Sequence, residues 1–141
     1  MKNGYLFTST LFEVELGEDA ETNPRRYGRQ LALWIKNKFE ELGYDVEDVI
    51  PEDWGWCVMC QRAPFTLWIA CGNRDDSGTA KEDDPPPKAN EIIWHCFPVA
   101  EVSLIQRLFK KIDTSGALDK LDIELKKIIT SDSDIKLTDE Q

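Results

Sequence analysis

Residues 51–73 contain two nearly continuous apolar runs and form the most apolar and aromatic stretch of the chain. Three of the five tryptophans, Trp54, Trp56 and Trp68, lie in it. Short apolar runs bounded by turn residues are typical of buried β-strands, in which successive side chains point to opposite faces of the sheet. The pattern predicts two adjacent strands near residues 55–62 and 65–71, joined by a turn at Ala63–Pro64.

Both faces of these two strands are predicted to be apolar. On the first strand one face would carry Trp54, Trp56, Val58 and Cys60, and the other Cys57 and Met59. On the second strand one face would carry Phe65, Leu67, Ile69 and Cys71, and the other Trp68 and Ala70. Strands with two apolar faces are covered on both sides, so helices, a neighbouring subunit or a ligand should pack on each face.

Two further segments are predicted to be strands. Residues 6–16 place Leu6, Phe12, Val14 and Leu16 at even positions, which predicts an N-terminal strand. Residues 91–97 place Ile92, Trp94 and Cys96 on one side and Ile93, His95 and Phe97 on the other. We expect this last strand to pair antiparallel beside the central hairpin.

Three segments have helical periodicity. Residues 24–42 carry an apolar stripe from Tyr27 to Leu42, with Asn23 as the predicted N-cap and Gly43 after the C-terminus. Residues 99–112 form the second predicted helix. Asp113, Thr114 or Ser115 would cap a last helix that buries Leu118, Leu121, Leu125 and Ile128.

The predicted order is β-α-β-β-β-α-α. This order indicates an α+β fold, with a mainly antiparallel four-stranded sheet and three helices. Residues 1–130 should form a single domain, because 141 residues suffice for one core. Residues 72–90, which include Pro85–Pro86–Pro87, are expected to be a mobile acidic and proline-rich loop, and residues 131–141 a disordered tail.

The formal net charge of −10 limits the classes of partner that the protein could bind. It repels phosphate backbones and anionic lipid, so direct binding to nucleic acid or to membranes is disfavoured and a basic protein partner is favoured. Neither an export signal nor a membrane-spanning run is visible, which predicts a cytoplasmic protein with reduced cysteines. Acidity for solubility alone would explain the same charge.

The cysteine and histidine residues could form a metal site, but the predicted strand geometry argues against it. Zinc could be held by thiolates and an imidazole drawn from Cys57, Cys60, Cys71, His95 and Cys96. However, positions 57 and 60 of an extended strand point to opposite faces, so they cannot chelate together. The thiols are therefore predicted to be buried and structural, and we assign no metal and no cofactor.

The partner-binding prediction rests on an acidic run beside an aromatic residue. Residues 40–53 hold seven carboxylates and no lysine or arginine. Carboxylates attract a basic partner at long range and a neighbouring tryptophan can anchor it, although a solvated corner would have the same composition. The predicted contact residues are Glu47, Asp48, Glu52, Asp53 and Trp54.

An enzymatic or ligand-binding domain is the alternative. Here the loop at residues 72–90 would close over an aromatic pocket that contains Trp56, Arg62, Trp68 and His95. Glu52 and Asp53 with His95 could supply acid and base groups, but no catalytic motif accompanies them, so no catalytic residue is assigned. Homodimerisation through the second apolar sheet face is compatible with either function.

Two motifs carry a resemblance. The chain has N-P-x-x-Y-G-x-x-L-A-x-W from Asn23 to Trp34, and P-E-D-W-G-W from Pro51 to Trp56. This combination resembles a pattern in small uncharacterised bacterial proteins. The resemblance implies a free-standing cytoplasmic α+β domain in the setting of immunity or other conflict systems. An immunity-like protein would be a stoichiometric binder or inhibitor of its partner.

Overall fold

The computed structural model describes residues 4–74, 84–109 and 111–138, with the side chain of Phe109 excepted. Its six strands are Tyr5–Ser9 (β1), Ile50–Glu52 (β2), Gly55–Gln61 (β3), Thr66–Asn73 (β4), Trp94–Glu101 (β5) and Ile135–Leu137 (β6). Its three α-helices are Arg29–Glu41 (α1), Leu104–Phe109 (α2) and Ser115–Ser131 (α3). Short 3-10 turns occur at Glu18–Ala20 and Ala89–Glu91.

The strands form one antiparallel sheet in the order β2-β3-β4-β5-β1-β6. The predicted α+β class with three helices is confirmed, but the described sheet has six strands rather than four. Both additional strands, β2 and β6, lie at the edges and are three residues long. A segment of three residues is too short to show a period of two, so the sequence pattern could not predict it.

The first face of the sheet holds the hydrophobic core. Helices α1 and α3 pack on this face, and Leu31, Ile35, Phe39, Leu121 and Leu125 are completely buried there. The strands contribute Tyr5, Phe7, Trp56, Val58, Cys60, Leu67, Ile69, Cys71, Trp94, Cys96 and Ile135. The predicted alternation along β3, β4 and β5 is confirmed at all of these positions on those three strands.

The opposite side of the sheet is called the second face here. Its residues Cys57, Met59 and Ala70 are buried, whereas its larger side chains, such as Trp68 and Phe97, remain partly exposed. Strand register aligns Met59 with Trp68 and Val99, and Cys57 with Ala70 and Phe97. Since α1 and α3 both lie on the first face, neither long helix covers this side. The second face comprises Leu6, Cys57, Met59, Trp68, Ala70, His95, Phe97 and Val99.

Helix α1 begins at Arg29, five residues later than predicted. Arg25 has φ 65° and Gly28 has φ 140°, and neither value is compatible with a continuous right-handed helix. Asn23 therefore does not cap α1. Its Nδ2 donates instead to the main-chain oxygen of Asp53, at 3.1 Å.

The first strand was predicted with the wrong parity and length. β1 ends at Ser9, and its buried residues are the odd-numbered Tyr5, Phe7 and Ser9 rather than the even positions. Glu13 lies outside the strand, where its N–H donates to Gln30 Oε1. The prediction was wrong because it counted Phe12 and Val14 as strand residues. Both lie in the loop after β1, where side chains do not alternate between two faces.

The second predicted helix is shorter than predicted, because its first residues belong to a strand. β5 runs to Glu101, and only Leu104–Phe109 is helical. Antiparallel pairing with β4 continues along all of β5, which outweighs the helical spacing of its apolar residues. Pro98 is accommodated within this strand and is fully buried.

The last helix is confirmed, with Leu121, Leu125 and Ile128 buried and Leu118 partly buried. Residues 135–137, which were assigned to a disordered tail, instead pair with β1 as β6. In the predicted loop, residues 72 and 73 belong to β4, while residues 75–83 lie outside the described residues. Within the described parts of the chain, none of the helices has the length and apolar character needed to cross a bilayer.

Candidate functional site

The two sequence motifs pack against each other at one point of β4. Gly28 and Gly55 both approach the backbone of Cys71 and Gly72, and a Cβ added to either would lie 2.9 or 2.6 Å from the Cys71 main-chain oxygen. Both have positive φ, of 140° and 150°, where other residues are strained. This close approach of two backbones therefore requires glycine at position 28 in the first motif and at position 55 in the second.

Trp56 connects the motifs to the loop after β1. It is 2% exposed on the first face, and its Nε1 donates to Glu18 Oε1 at 3.2 Å. The Arg29 guanidinium carbon lies 5.9 Å from the centre of the Trp56 ring, within the range of a cation–π interaction. Trp56 is consequently a core residue, and its contacts link the two motifs to Glu18.

Glu18 belongs to the first 3-10 turn, and its side chain is buried against the N-terminus of α1, with 3% exposure. Its Oε1 accepts hydrogen bonds from the N–H groups of Gly28 and Arg29, at 2.9 and 3.1 Å, and its Oε2 accepts one from the N–H of Glu15 at 2.6 Å. A negative charge is stabilised at a helix N-terminus by the unpaired N–H groups and the helix dipole. Glu18 therefore occupies the place where an anionic ligand could otherwise bind.

A stacked pair of tryptophans lies on the second face. The Trp54 and Trp68 rings are 5.5 Å apart and inclined by 21°. Trp68 Nε1 donates to Glu101 Oε1 at 2.9 Å, and Trp54 remains 38% exposed. The pair thus joins an exposed aromatic surface directly to a carboxylate.

Carboxylates also lie on the β2 side of this surface. Glu47 accepts two hydrogen bonds from Arg62, at 2.7 and 2.9 Å, and these bonds lower the pKa of the Glu47 carboxyl. Glu52 is exposed and its charge contributes to raising the pKa of the Cys57 thiol, which places it near the second face. We call Trp54, Trp68, Glu52 and Glu101 the aromatic–acidic site.

The structure separates the five residues that were predicted to bind a partner. Glu52 and Trp54 belong to the aromatic–acidic site, and Glu47 is paired with Arg62 beside it. Asp53 lies in the tight turn between β2 and β3. Asp48 instead lines a cleft of about 560 Å³ at the β2 edge, together with Glu15, Glu21, Arg29 and Pro51.

The residues of the alternative pocket do not converge. Trp56 is buried on the first face, whereas Trp68 and His95 lie on the second face. Arg62 is exposed beyond the end of β3 and bonds to Glu47. The sheet itself therefore lies between Trp56 and the other aromatic residue of this set.

The cysteines occupy both sides of the sheet. Cys60, Cys71 and Cys96 belong to the first-face core and Cys57 to the second face, and all four are buried thiols. Among the described residues, no group of three histidine, cysteine or carboxylate side chains is placed to hold a metal ion. Burial raises the pKa of the Cys57 and Cys60 thiols to about 12.

These thiols should be unreactive in the folded protein. With a pKa of about 12, only about one thiol in ten thousand is a thiolate at pH 8, and the thiolate is the reactive form. We expect labelling by an aromatic disulfide reagent at pH 8 to be on the order of a thousandfold slower in the native protein than in denaturant. Absorbance of the released thiolate measures both rates. A thiol that reacts equally fast in both states would contradict the assigned burial.

No protein-family model, curated protein or solved structure matches the chain. Function must therefore be argued from the site itself.

The sequence analysis assigned Val99 and Glu101 to the second helix, although both belong to β5. These residues continue the period of two from Ile93 and His95, so the signal for a longer β5 was present. It was hidden because Val99, Val102 and Ile105 also fit a helical spacing. The bond between Trp68 and Glu101 joins residues 33 positions apart and leaves no local signature.

Proposed function

We propose that this chain is a small protein-interaction domain that binds a basic protein partner through the aromatic–acidic site. The observation that carries the proposal is the stacked Trp54–Trp68 pair on a sheet face that neither long helix covers. Exposed aromatic residues bordered by polar groups are the usual centre of a protein interface.

Charge supports a basic partner. Glu52 and Glu101 border the aromatic pair, and the whole chain carries a net charge of −10. Such a field accelerates encounters with a cationic protein and slows those with nucleic acid or anionic lipid. Four reduced, buried thiols are compatible with a cytoplasmic location.

We further propose that binding is stoichiometric and inhibitory, as in an immunity protein. The aromatic–acidic site offers a surface rather than an enclosed pocket, and the cleft that Asp48 lines at the β2 edge does not include its residues. A surface of this kind can block a partner's own site by covering it. The motif resemblance at Asn23–Trp34 and Pro51–Trp56 points the same way.

The test compares three immobilised forms of the protein. They are the wild type, a site variant (Trp54→Ala, Glu52→Gln, Glu101→Gln) and a control (Glu41→Gln, Asp119→Asn) that removes two exposed carboxylates from the helices. A basic protein retained by the wild type is then purified. Its affinity for each form is measured by calorimetry at low and at physiological salt.

We expect Trp54→Ala alone to weaken binding about 30-fold, because an interface anchor contributes about 2 kcal/mol or more. The charge substitutions should mainly reduce the salt dependence and the association rate. Equal affinity of the site variant and the wild type for the purified partner would refute the site. An affinity that does not change with salt would refute the role of the carboxylates.

A further inference from the structure

Helix α2 is oriented in the opposite way to an ordinary surface helix. Its large aliphatic residues Leu104, Ile105 and Leu108 are 73%, 70% and 72% exposed. A surface helix normally turns its apolar stripe towards the core. These three residues fall within one arc of about 100° on the helix, so they form a single exposed apolar patch.

Polar contacts fix this orientation. Gln106 lies about 150° around the helix from the centre of the apolar patch. Its Nε2 donates to the main-chain oxygen of Pro64, in the turn between β3 and β4. The Ser103 hydroxyl accepts from the Gln106 N–H at 3.2 Å, and Gln106 Oε1 accepts from the Ser103 N–H at 3.2 Å. The helix is therefore held to its own domain by its polar side, and its apolar side is directed outwards.

The patch lies in a locally basic part of an acidic protein. Residues 102–112 contain Arg107, Lys110 and Lys111 and no carboxylate, whereas the chain as a whole carries a net charge of −10. An apolar surface with basic neighbours is complementary to an apolar surface with acidic neighbours. The aromatic–acidic site on the second face is such a surface, and it is present on every copy of the chain.

The two surfaces are also suitably placed. Glu101 ends β5 on the second face, and α2 begins three residues later. Gln106 reaches the β3–β4 turn, so α2 lies at the same end of the sheet as the Trp68–Glu101 pair. A twofold axis beside this end would place each α2 against the second face of the other copy, and the contact would be made twice.

We propose that two copies of the chain associate reciprocally, each docking the Leu104–Ile105–Leu108 patch on the Trp54–Trp68 pair of the other. Arg107 then approaches a carboxylate of the aromatic–acidic site of the second copy. Contact between two second faces is disfavoured, because the same carboxylates would oppose each other. This inference rests on the proposed function, since it uses the same site, and it makes self-association and partner binding mutually exclusive.

Sedimentation equilibrium of four proteins tests the inference. They are the wild type, a helix variant (Leu104→Ser, Leu108→Ser), a face variant (Trp54→Ala, Glu52→Lys) and a control (Leu42→Ser, Ile123→Ser). The control removes two aliphatic residues that are 51% and 55% exposed, Leu42 just after α1 and Ile123 in α3. We expect the wild type and the control to reach twice the chain mass of 16.2 kDa with rising concentration, and each variant to dimerise at least 10-fold more weakly.

Mixing the two variants makes the test specific. The helix variant keeps an intact face and the face variant keeps an intact helix, so a mixture should regain one of the two contacts. We expect a heterodimer tighter than either variant homodimer, detected with a fluorescent label on one variant. No gain on mixing would overturn the reciprocal arrangement, and so would a wild type that stays monomeric up to millimolar concentration.

The inference and the proposed function fail in different ways. A monomeric wild type whose basic partner is still lost on Trp54→Ala overturns only the inference. A dimer that is weakened by both variants, in a protein whose basic partner binds the site variant as tightly as the wild type, overturns only the proposed function.

Discussion

Replacing Gly55 by alanine is expected to lower the free energy of unfolding by about 3–5 kcal/mol, through backbone strain and overpacking together. The new Cβ would lie 2.6 Å from the Cys71 oxygen and 3.2 Å from the Gly72 Cα, and both are backbone atoms of a central strand. Gly55 also has φ 150°, which alanine adopts only with strain. Urea unfolding followed by tryptophan fluorescence measures the loss.

Gly17→Ala separates the two causes. Gly17 has φ 84°, but a Cβ there would meet nothing within 4 Å. It should therefore cost only the strain, about 1–2 kcal/mol. Equal losses for the two variants would contradict the close approach of Gly55 to β4. Because Gly55 follows Trp54 directly, we also expect the Gly55 variant to weaken partner binding by displacing Trp54 from Trp68.

Replacing Glu18 by alanine is expected to lower the free energy of unfolding by about 2–4 kcal/mol. The change removes the acceptor of four hydrogen bonds, from the N–H groups of Glu15, Gly28 and Arg29 and from Trp56 Nε1. The Gly28 and Trp56 groups are buried, so water cannot readily replace the lost acceptor. The same urea titration gives the size of the effect.

Two comparisons identify the cause of the Glu18 effect. Glu18→Gln keeps one acceptor oxygen for α1 and Trp56, so its loss should be smaller than that of the alanine variant. Glu21→Ala removes an exposed carboxylate three residues away and should change stability by less than about 0.5 kcal/mol. If Glu21→Ala were as damaging as Glu18→Ala, local charge rather than capping would be responsible.

Both predictions concern the framework that presents the interaction surface. Glu18 fixes the start of α1 and holds Trp56, while Gly55 allows the β2–β3 turn to lie against β4. This turn carries Trp54 to the second face, where it stacks on Trp68. The β2–β3 turn therefore links the close contact between Gly55 and β4 to the aromatic–acidic site.

The sequence by itself determined the parts of the structure whose signal is local and repeated. Alternation over β3, β4 and β5 placed the core side chains of these strands, and the spacing in α3 placed Leu121, Leu125 and Ile128. The same alternation put Cys57 and Cys60 on opposite faces, as observed. Such patterns are reliable because each repeat adds the same preference for the buried side.

Only the tertiary structure decided the elements whose partners are distant in sequence. Trp54 was predicted on the face of Trp56, but it lies in the turn before β3 and stacks on Trp68 instead. The start of α1 depends on Glu18, ten residues before Gly28, rather than on Asn23 beside it. The direction of α2 depends on one bond from Gln106 to Pro64, 42 residues away. A local pattern records which residues prefer burial, whereas the surfaces that remain exposed are set by long-range contacts that no local pattern contains.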